Sequence, residues 1–299
     1  MICGYIAESD AEKIFSMPDR NSATLLRPQS AEAIIRTSAL TRNFGTLVAV
    51  DRLDLEVFRG EVFGLLGRNG AGKSTLIKML TTLLPPSAGT AQIAGFDIAA
   101  KAADVRRVIG YVPQALSADG DLTGYENLLV FARLYDVPPR ERSARIQDAL
   151  VLMGLADSAH RLVKEYSGGM IRRLEIAQST LHWPMVLFLD EPTVGLDPVA
   201  RRDVWGMIGQ LRQRYGSTIV LTTHYLEEAA ELCDRIGIMN KGRIVVIGTV
   251  AELEDKAGGG STLDEAFAKY AGGALEPDLT VGTGYATTSL TRRAADRTR

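Results

Sequence analysis

Cysteine is nearly absent from this chain: Cys3 and Cys233 are its only two among 299 residues. Two such distant thiols, with only 3 His beside them, disfavour a disulfide framework or a zinc site and suit a reducing cytosol. Long apolar runs are missing too, since no window approaches the about 18 uninterrupted apolar residues that a membrane-spanning helix needs. The apolar start Met1 to Ala7 breaks at Glu8, Asp10 and Glu12, where a secretory leader would continue. Any membrane role is therefore expected through a partner. An excess of one charge is also lacking, because Lys+Arg 34 against Asp+Glu 36 give a formal net charge of -2. No broad basic field argues for nucleic acid, and no acidic excess argues for disorder.

What is present is a large apolar fraction, 46% of the chain, enough for one large α/β domain or two smaller ones. The most informative stretch is Gly67-Arg68-Asn69-Gly70-Ala71-Gly72-Lys73-Ser74-Thr75, which matches the phosphate-cradling pattern G-x-x-x-x-G-K-[ST]. Before it runs the apolar Val62-Phe63-Gly64-Leu65-Leu66, a buried-strand pattern. After it Leu76, Ile77, Met79, Leu80 and Leu83 recur at helical spacing until Pro85-Pro86. Strand, glycine loop and helix thus follow in the order that the motif requires. Glycines let backbone N–H groups turn toward an anion, and a helix N-terminus adds partial positive charge. Lys73 would reach the outer phosphates of a nucleotide, and Ser74 would place its hydroxyl on Mg²⁺.

Along the chain, residues 1–33 lack sustained periodicity and carry Pro18, Pro28 and several serines, so a poorly ordered extension is expected there. The domain is expected to begin near Ile34 with short antiparallel strands and a turn at Asn43-Phe44-Gly45. Phe44 is then either an exposed ring for stacking on adenine or an aromatic packed on its own hairpin. Strands are expected at 89–95 and 108–112, the second delivering Gln114 at its exit. Residues from about 115 to 183 read as a helical subdomain. Within it Thr123-Gly124-Tyr125-Glu126 forms a capping box, and a second helix is expected from about Arg140 to Met153.

Ser167-Gly168-Gly169 reads as a turn before a helix from Ile171 to Ser179. The strand 185–189 ends in the carboxylates Asp190 and Glu191. Beside a phosphate loop, Asp190 can hold Mg²⁺ and Glu191 can polarise an attacking water. Asp197 lies in the turn before a helix from about Val199 to Tyr215, and the buried strand from Thr218 delivers His224 to the same sheet edge. A hairpin is expected around Asn240-Lys241-Gly242, and Thr262 to Glu265 caps a last amphipathic helix carrying Phe267 and Tyr270. Residues 272–299 read as a solvated tail, with a basic anchor on an anionic membrane surface as the second reading.

The order of phosphate loop, Gln-bearing loop, Ser-Gly-Gly turn, carboxylate pair and strand-end histidine resembles the ATP-binding subunit of ABC transporters, from roughly Ile34 to Tyr270. The resemblance implies a P-loop NTPase core of α/β class with a short antiparallel β subdomain and an inserted α-helical subdomain. It makes Phe44 the adenine-stacking aromatic, and Gln114 a loop residue that senses Mg²⁺ and couples to the transmembrane partner. Tyr166 to Met170 becomes the signature motif, Asp190 the Mg²⁺-side carboxylate, Glu191 the general base, Asp197 a cross-interface residue and His224 the γ-phosphate contact. Three positions depart from the family pattern: Arg68 stands where many members have proline, Tyr166 replaces a leading leucine, and Met170 replaces a polar residue. The surrounding sequence is similar to the exporter branch of daunorubicin-resistance and related drug, lipid and polysaccharide ATPases.

The implied function is ATP hydrolysis at the cytoplasmic face of the membrane, powering export through a permease on a separate chain. One phosphate loop and one signature per chain imply a second ATPase subunit, head to tail, and no nucleic-acid partner is expected. An importer ATPase, an ABC-type ATPase acting on nucleic acid or ribosomes, and a regulatory cassette that binds ATP without turnover are the competing readings.

Overall fold

The computed structural model describes residues 32–272. The expectations for the N-terminal extension and for the tail beyond residue 272 lie outside the described residues. The chain opens with two long strands, β1 (Ala33–Phe44) and β2 (Leu47–Phe58), paired antiparallel across a turn at Gly45. These strands have 12 residues each, longer than the short strands expected, and β1 continues through Asn43 and Phe44. Register shifts interrupt their ladder, as bulges do in strands that curve over a core. Strand β3 (Val62–Leu66) follows, then helix α1 (Lys73–Leu80), β4 (Ala88–Ile93) and the short β5 (Phe96–Asp97). Strands β2, β1, β4 and β5 form one antiparallel sheet in that order.

Helix α2 (Ala102–Val108) leads into β6 (Ile109–Val112), and three α-helices, with two short 3-10 turns at Ala156–Ser158 and Val163–Glu165, then precede the next strand. They are α3 (Gly124–Leu134), α4 (Pro139–Leu152) and α5 (Gly168–Thr180). Thr123 closes its capping box with Glu126 at the head of α3. Helix α5 begins at Gly168 rather than Ile171, because the Ser167 hydroxyl accepts the Met170 N–H and caps the first turn. The expected Ser-Gly-Gly turn is therefore a helix N-terminus. Tyr166, which replaces the family's leucine, is buried, and its hydroxyl donates to the Ser158 carbonyl at 2.6 Å.

The remaining elements are β7 (Val186–Asp190), α6 (Pro198–Tyr215), β8 (Thr218–Thr223) and α7 (Leu226–Leu232). After them come β9 (Arg235–Asn240), β10 (Arg243–Gly248), α8 (Val250–Ala257) and α9 (Leu263–Ala271). The second sheet has the order β10-β9-β3-β8-β7-β6, parallel except for β10, which pairs antiparallel with β9 at the edge. Every residue of β3, β7 and β8 is buried, the pattern of a parallel sheet covered on both faces. On one side Phe63, Leu65, Phe188 and Val220 pack with α1 and the antiparallel sheet. On the other, Leu187, Leu189, Ile219 and Leu221 pack with α3 to α6.

Parallel alignment places the strand exits side by side. Leu66 pairs with Thr223 and Asp190 with Thr222, so Gly67, Glu191 and His224 all emerge at one sheet edge. Ligands of open α/β sheets bind at this carboxyl edge.

Candidate nucleotide site

The phosphate loop leaves buried β3 and enters α1 with Gly72 in the left-handed region at φ 106. A Cβ there would overlap the Ala49 carbonyl and approach the Met239 methyl at 2.8 Å, so the position demands glycine twice over. Neighbouring segments fix the loop from outside. Gly242 donates its N–H to the Ala71 carbonyl at 2.9 Å and accepts from Asp51 N–H at 2.9 Å. The loop thus sits between β2 and the β9–β10 turn.

Lys73 is the first residue of α1 and is 4% exposed. Its ammonium donates to the Gly67 carbonyl at 2.7 Å and to Arg68 at 3.4 Å, and lies 3.3 Å from Glu191 Oε1. The next residue, Ser74, donates its hydroxyl to Asp190 Oδ1 at 3.0 Å. Thr222 on β8 donates to the same oxygen at 2.6 Å, while its own hydroxyl oxygen accepts the Glu191 N–H at 2.9 Å. Thr222 therefore orients both carboxylate residues. Sequence reasoning places it only within a buried strand, since nothing local marks its partners. The half-buried Tyr111 phenol has its pKa pushed up to about 12 by desolvation and then by the Asp190 charge.

Glu191 is buried and its backbone takes φ 49, a left-handed conformation that costs a non-glycine residue on the order of 1–3 kcal/mol and gathers at functional sites. Gln114 donates its amide N–H to Glu191 Oε2 at 3.0 Å, and His224 Nδ1 lies 3.4 Å from Oε1. Burial alone would raise the carboxyl's pKa. His224 and the Lys73 charge outweigh burial and hold it below the ordinary carboxylate value. Glu191 is thus an anion ringed by an ammonium, an imidazole and an amide, the state in which it accepts a proton.

These groups face one cleft of about 920 Å³, lined by the loop from Arg68 to Thr75 together with Phe44, Gln114, Glu191 and His224. Phe44 is 45% exposed, and the Arg42 guanidinium stacks 4.7 Å from its ring centroid. Gly67 lies behind the loop, where a Cβ would come 2.6 Å from the Met239 carbonyl. Asp190 lies beneath, against Ser74. The sequence also misses Tyr225, Lys241 and Gly242, which complete the wall from elements far along the chain.

Ser167, Gly168, Gly169 and Asp197 are not among the residues that line the cleft. Ser167, Gly168 and Asp197 are exposed, and the Asp197 carboxylate caps α6 by accepting from Val199 N–H at 2.9 Å and Ala200 N–H at 3.0 Å. Leu196 and Ala200 lie against Gly168 and Gly169, so these two motifs form a second exposed face. Behind them Glu228 on α7 accepts from Thr193 Oγ1 at 2.8 Å and Trp205 Nε1 at 2.9 Å, tying the chain between Glu191 and Asp197 to α6.

A family model described as ABC transporter matches residues 50–194. The daunorubicin/doxorubicin resistance ATP-binding protein of Streptomyces peucetius is 48% identical over 227 residues, covering 75% of this chain and 68% of that one. The chain belongs to the ABC transporter ATP-binding family. The Nod factor export ATP-binding protein I of Mesorhizobium japonicum is 42% identical to this ABC ATPase over 238 residues, 79% of this chain and 70% of the other. A solved structure of an ATP-binding subunit of an ABC transporter superposes on the ABC ATPase with TM-score 0.72 and 29% identity, covering 79% of this chain and 99% of that one. The mixed α/β architecture is thus the ABC ATPase fold, and the chain is an ATP-binding, ATP-hydrolysing protein of that family.

Proposed function

We propose that this ABC ATPase powers export of a drug-like, lipid or polysaccharide cargo through a transmembrane permease on a separate chain. ATP hydrolysis would take place between two head-to-tail copies of the ATPase. The observation that carries the two-copy reading is that Ser167, Gly168 and Asp197 are exposed and none of them lines the phosphate-loop cleft of the same molecule. Either half alone is incomplete, and a second copy supplies what the first lacks. The names of the relatives, which speak of drug resistance and Nod factor export, support export over import. The ATPase would sit at the cytoplasmic face beside that permease; among the described residues no helix is long and apolar enough to cross a membrane.

In this reading residues 34–271 form the ATPase domain. The loop N–H groups and Lys73 hold the β- and γ-phosphates, and Phe44 receives the adenine. Ser74 and Asp190 offer hard oxygen donors 3.0 Å apart, which suits Mg²⁺, a cation that keeps most of its remaining positions for phosphate and water. Bound there with Gln114 nearby, Mg²⁺ would neutralise charge on the phosphates. Glu191 takes the proton of the attacking water, and His224 contacts the γ-phosphate. Phosphoryl transfer needs mainly positioning and charge stabilisation, which these groups provide without a covalent intermediate.

The test is assembly. With Mg²⁺-ATP, a Glu191→Gln variant should shift from one copy to two by light scattering, and a Ser167→Arg change should abolish the shift. A parent that hydrolyses ATP at full rate as single molecules, with Ser167 dispensable, would overturn the two-copy reading. Purification from native membranes should bring a multi-span permease with the protein, and an extracellular solute-binding protein in its place would count against export.

A further inference from the structure

Arg172 is the largest fully buried side chain among the described residues. It lies on α5, between one and two turns past Ser167. Its guanidinium donates from Nη1 to the Pro113 carbonyl and from Nη2 to the Gln114 carbonyl, both at 2.7 Å. Glu175, one turn further, brings Oε2 within 3.0 Å of Arg172 Nη1, and both side chains are 2% exposed. The other Glu175 oxygen accepts from the Ser117 N–H and, at 3.1 Å, from the Ser117 hydroxyl. One buried face of α5 therefore holds both ends of the segment 113–117.

A buried ion pair is a weak source of stability, since desolvating two charges offsets most of their attraction and apolar side chains of the same volume often do as well. What the pair does here is geometric. A planar guanidinium reaches two consecutive carbonyls at once, which fixes the orientation of the peptide carrying the Gln114 side chain. That side chain donates to Glu191 at 3.0 Å. The same helix begins at the Ser167–Gly169 face. A run of stiff connections thus links the exposed helix end to the base: α5, Arg172, the Pro113 and Gln114 carbonyls, the Gln114 amide and Glu191.

We infer that Arg172 is a positioning residue for ATP hydrolysis, which acts through Gln114 and makes the Gln114–Glu191 contact follow the position of the signature helix. The inference rests on the roles proposed above for Gln114 and Glu191. It adds a residue that touches neither nucleotide nor Glu191.

The test is a double-mutant cycle on the full-length protein, with Mg²⁺-ATP turnover measured for the parent, Arg172→Lys, Arg172→Met, Gln114→Ala and the combined variants. Each single change is expected to lower kcat on the order of 10- to 100-fold, the usual result of misplacing a reacting group, with KM for ATP within about threefold. The combined variants should lose no more than the worse single one, and Arg172→Lys should be milder than Arg172→Met. Additive losses, or an Arg172→Met variant with parental kcat, would overturn the inference. If Arg172→Met does not fold, Arg172→Lys closes the same cycle, because it keeps the charge beside Glu175 but cannot bridge both carbonyls. A parent active with Gln114→Ala harmless would instead overturn the role of Gln114, and with it this extension.

Discussion

Lys73, the first residue of α1, and Glu191, at the exit of β7, form an ion pair of 3.3 Å in which the side chains are only 4% and 7% exposed. Each serves as counter-ion to the other within the cleft. A phosphate that took the Lys73 ammonium would leave Glu191 to Gln114 and His224, linking nucleotide binding to the proposed base through one contact.

Replacing Glu191 with Gln removes the proposed proton acceptor while keeping shape and the Gln114 neighbourhood. ATP affinity should stay at or above that of the parent, because Lys73 loses its competing partner. Turnover should fall roughly 10²- to 10⁴-fold, the usual worth of a general base. Phosphate release and calorimetry measure the two quantities separately, and turnover within a few-fold of the parent would contradict the role of Glu191.

Lys73→Ala acts at the other end of the same pair. It removes the charge that faces the phosphates and leaves Glu191 buried with less compensation, so ATP affinity should fall along with turnover. Unchanged affinity by calorimetry would count against the phosphate-loop assignment.

The two glycines Gly72 and Gly45 separate crowding from backbone strain. Both take left-handed conformations, φ 106 and φ 57, but a Cβ at Gly45 meets nothing within 4 Å whereas one at Gly72 overlaps the Ala49 carbonyl. Gly45→Ala should cost about 1 kcal/mol of stability and leave ATP binding unchanged. Gly72→Ala should cost several times as much by chemical denaturation, since overlap adds to strain, and should abolish binding. Equal costs would show that the loop yields at Gly72.

The acid side of the stability curve should carry the mark of His182. Its ring stacks on Tyr135 at 3.9 Å, and Nε2 lies 2.8 Å from the Ile109 carbonyl. Burial pushes its pKa from 6.5 down to about 4. Between those values the unfolded chain takes a proton that the folded chain refuses, so this contribution is complete above pH 6.5 and is lost as pH falls toward 4. A His182→Gln variant should show a shallower fall in Tm across that window, and parallel curves would assign the slope to other groups.

Much of this site is legible in the sequence because its parts are contiguous. A buried strand, a glycine loop and a helix start stand together from Val62 to Leu80, and Asp190 and Glu191 end an apolar run that can only be a covered strand. Thr222, Arg172 and Glu228 are not legible in the same way. Their meaning lies in partners 32, 58 and 35 positions away, which only the parallel register and the seating of α5 and α7 bring near. Two short helices escape as well. Helix α2 buries only Val105 and α8 only Leu253, so neither shows an apolar stripe, and the Thr249–Glu252 capping box at the head of α8 goes unread. The start of α5 is misjudged because two glycines argue for a turn, while the Ser167 cap and the packing of Gly169 on Ala200 hold them helical.

The Gly242 contacts to Ala71 and Asp51 bear on the order in which the molecule matures during synthesis. The cradle motif leaves the ribosome before the hairpin that braces it, which lies 171 positions later from Ala71 to Gly242. A nascent chain that stops short of β9 holds the complete motif without its buttress. Competence to capture ATP therefore waits for β9 and β10 to be made, and translation products that stop before them should neither sequester nucleotide nor compete for assembly sites.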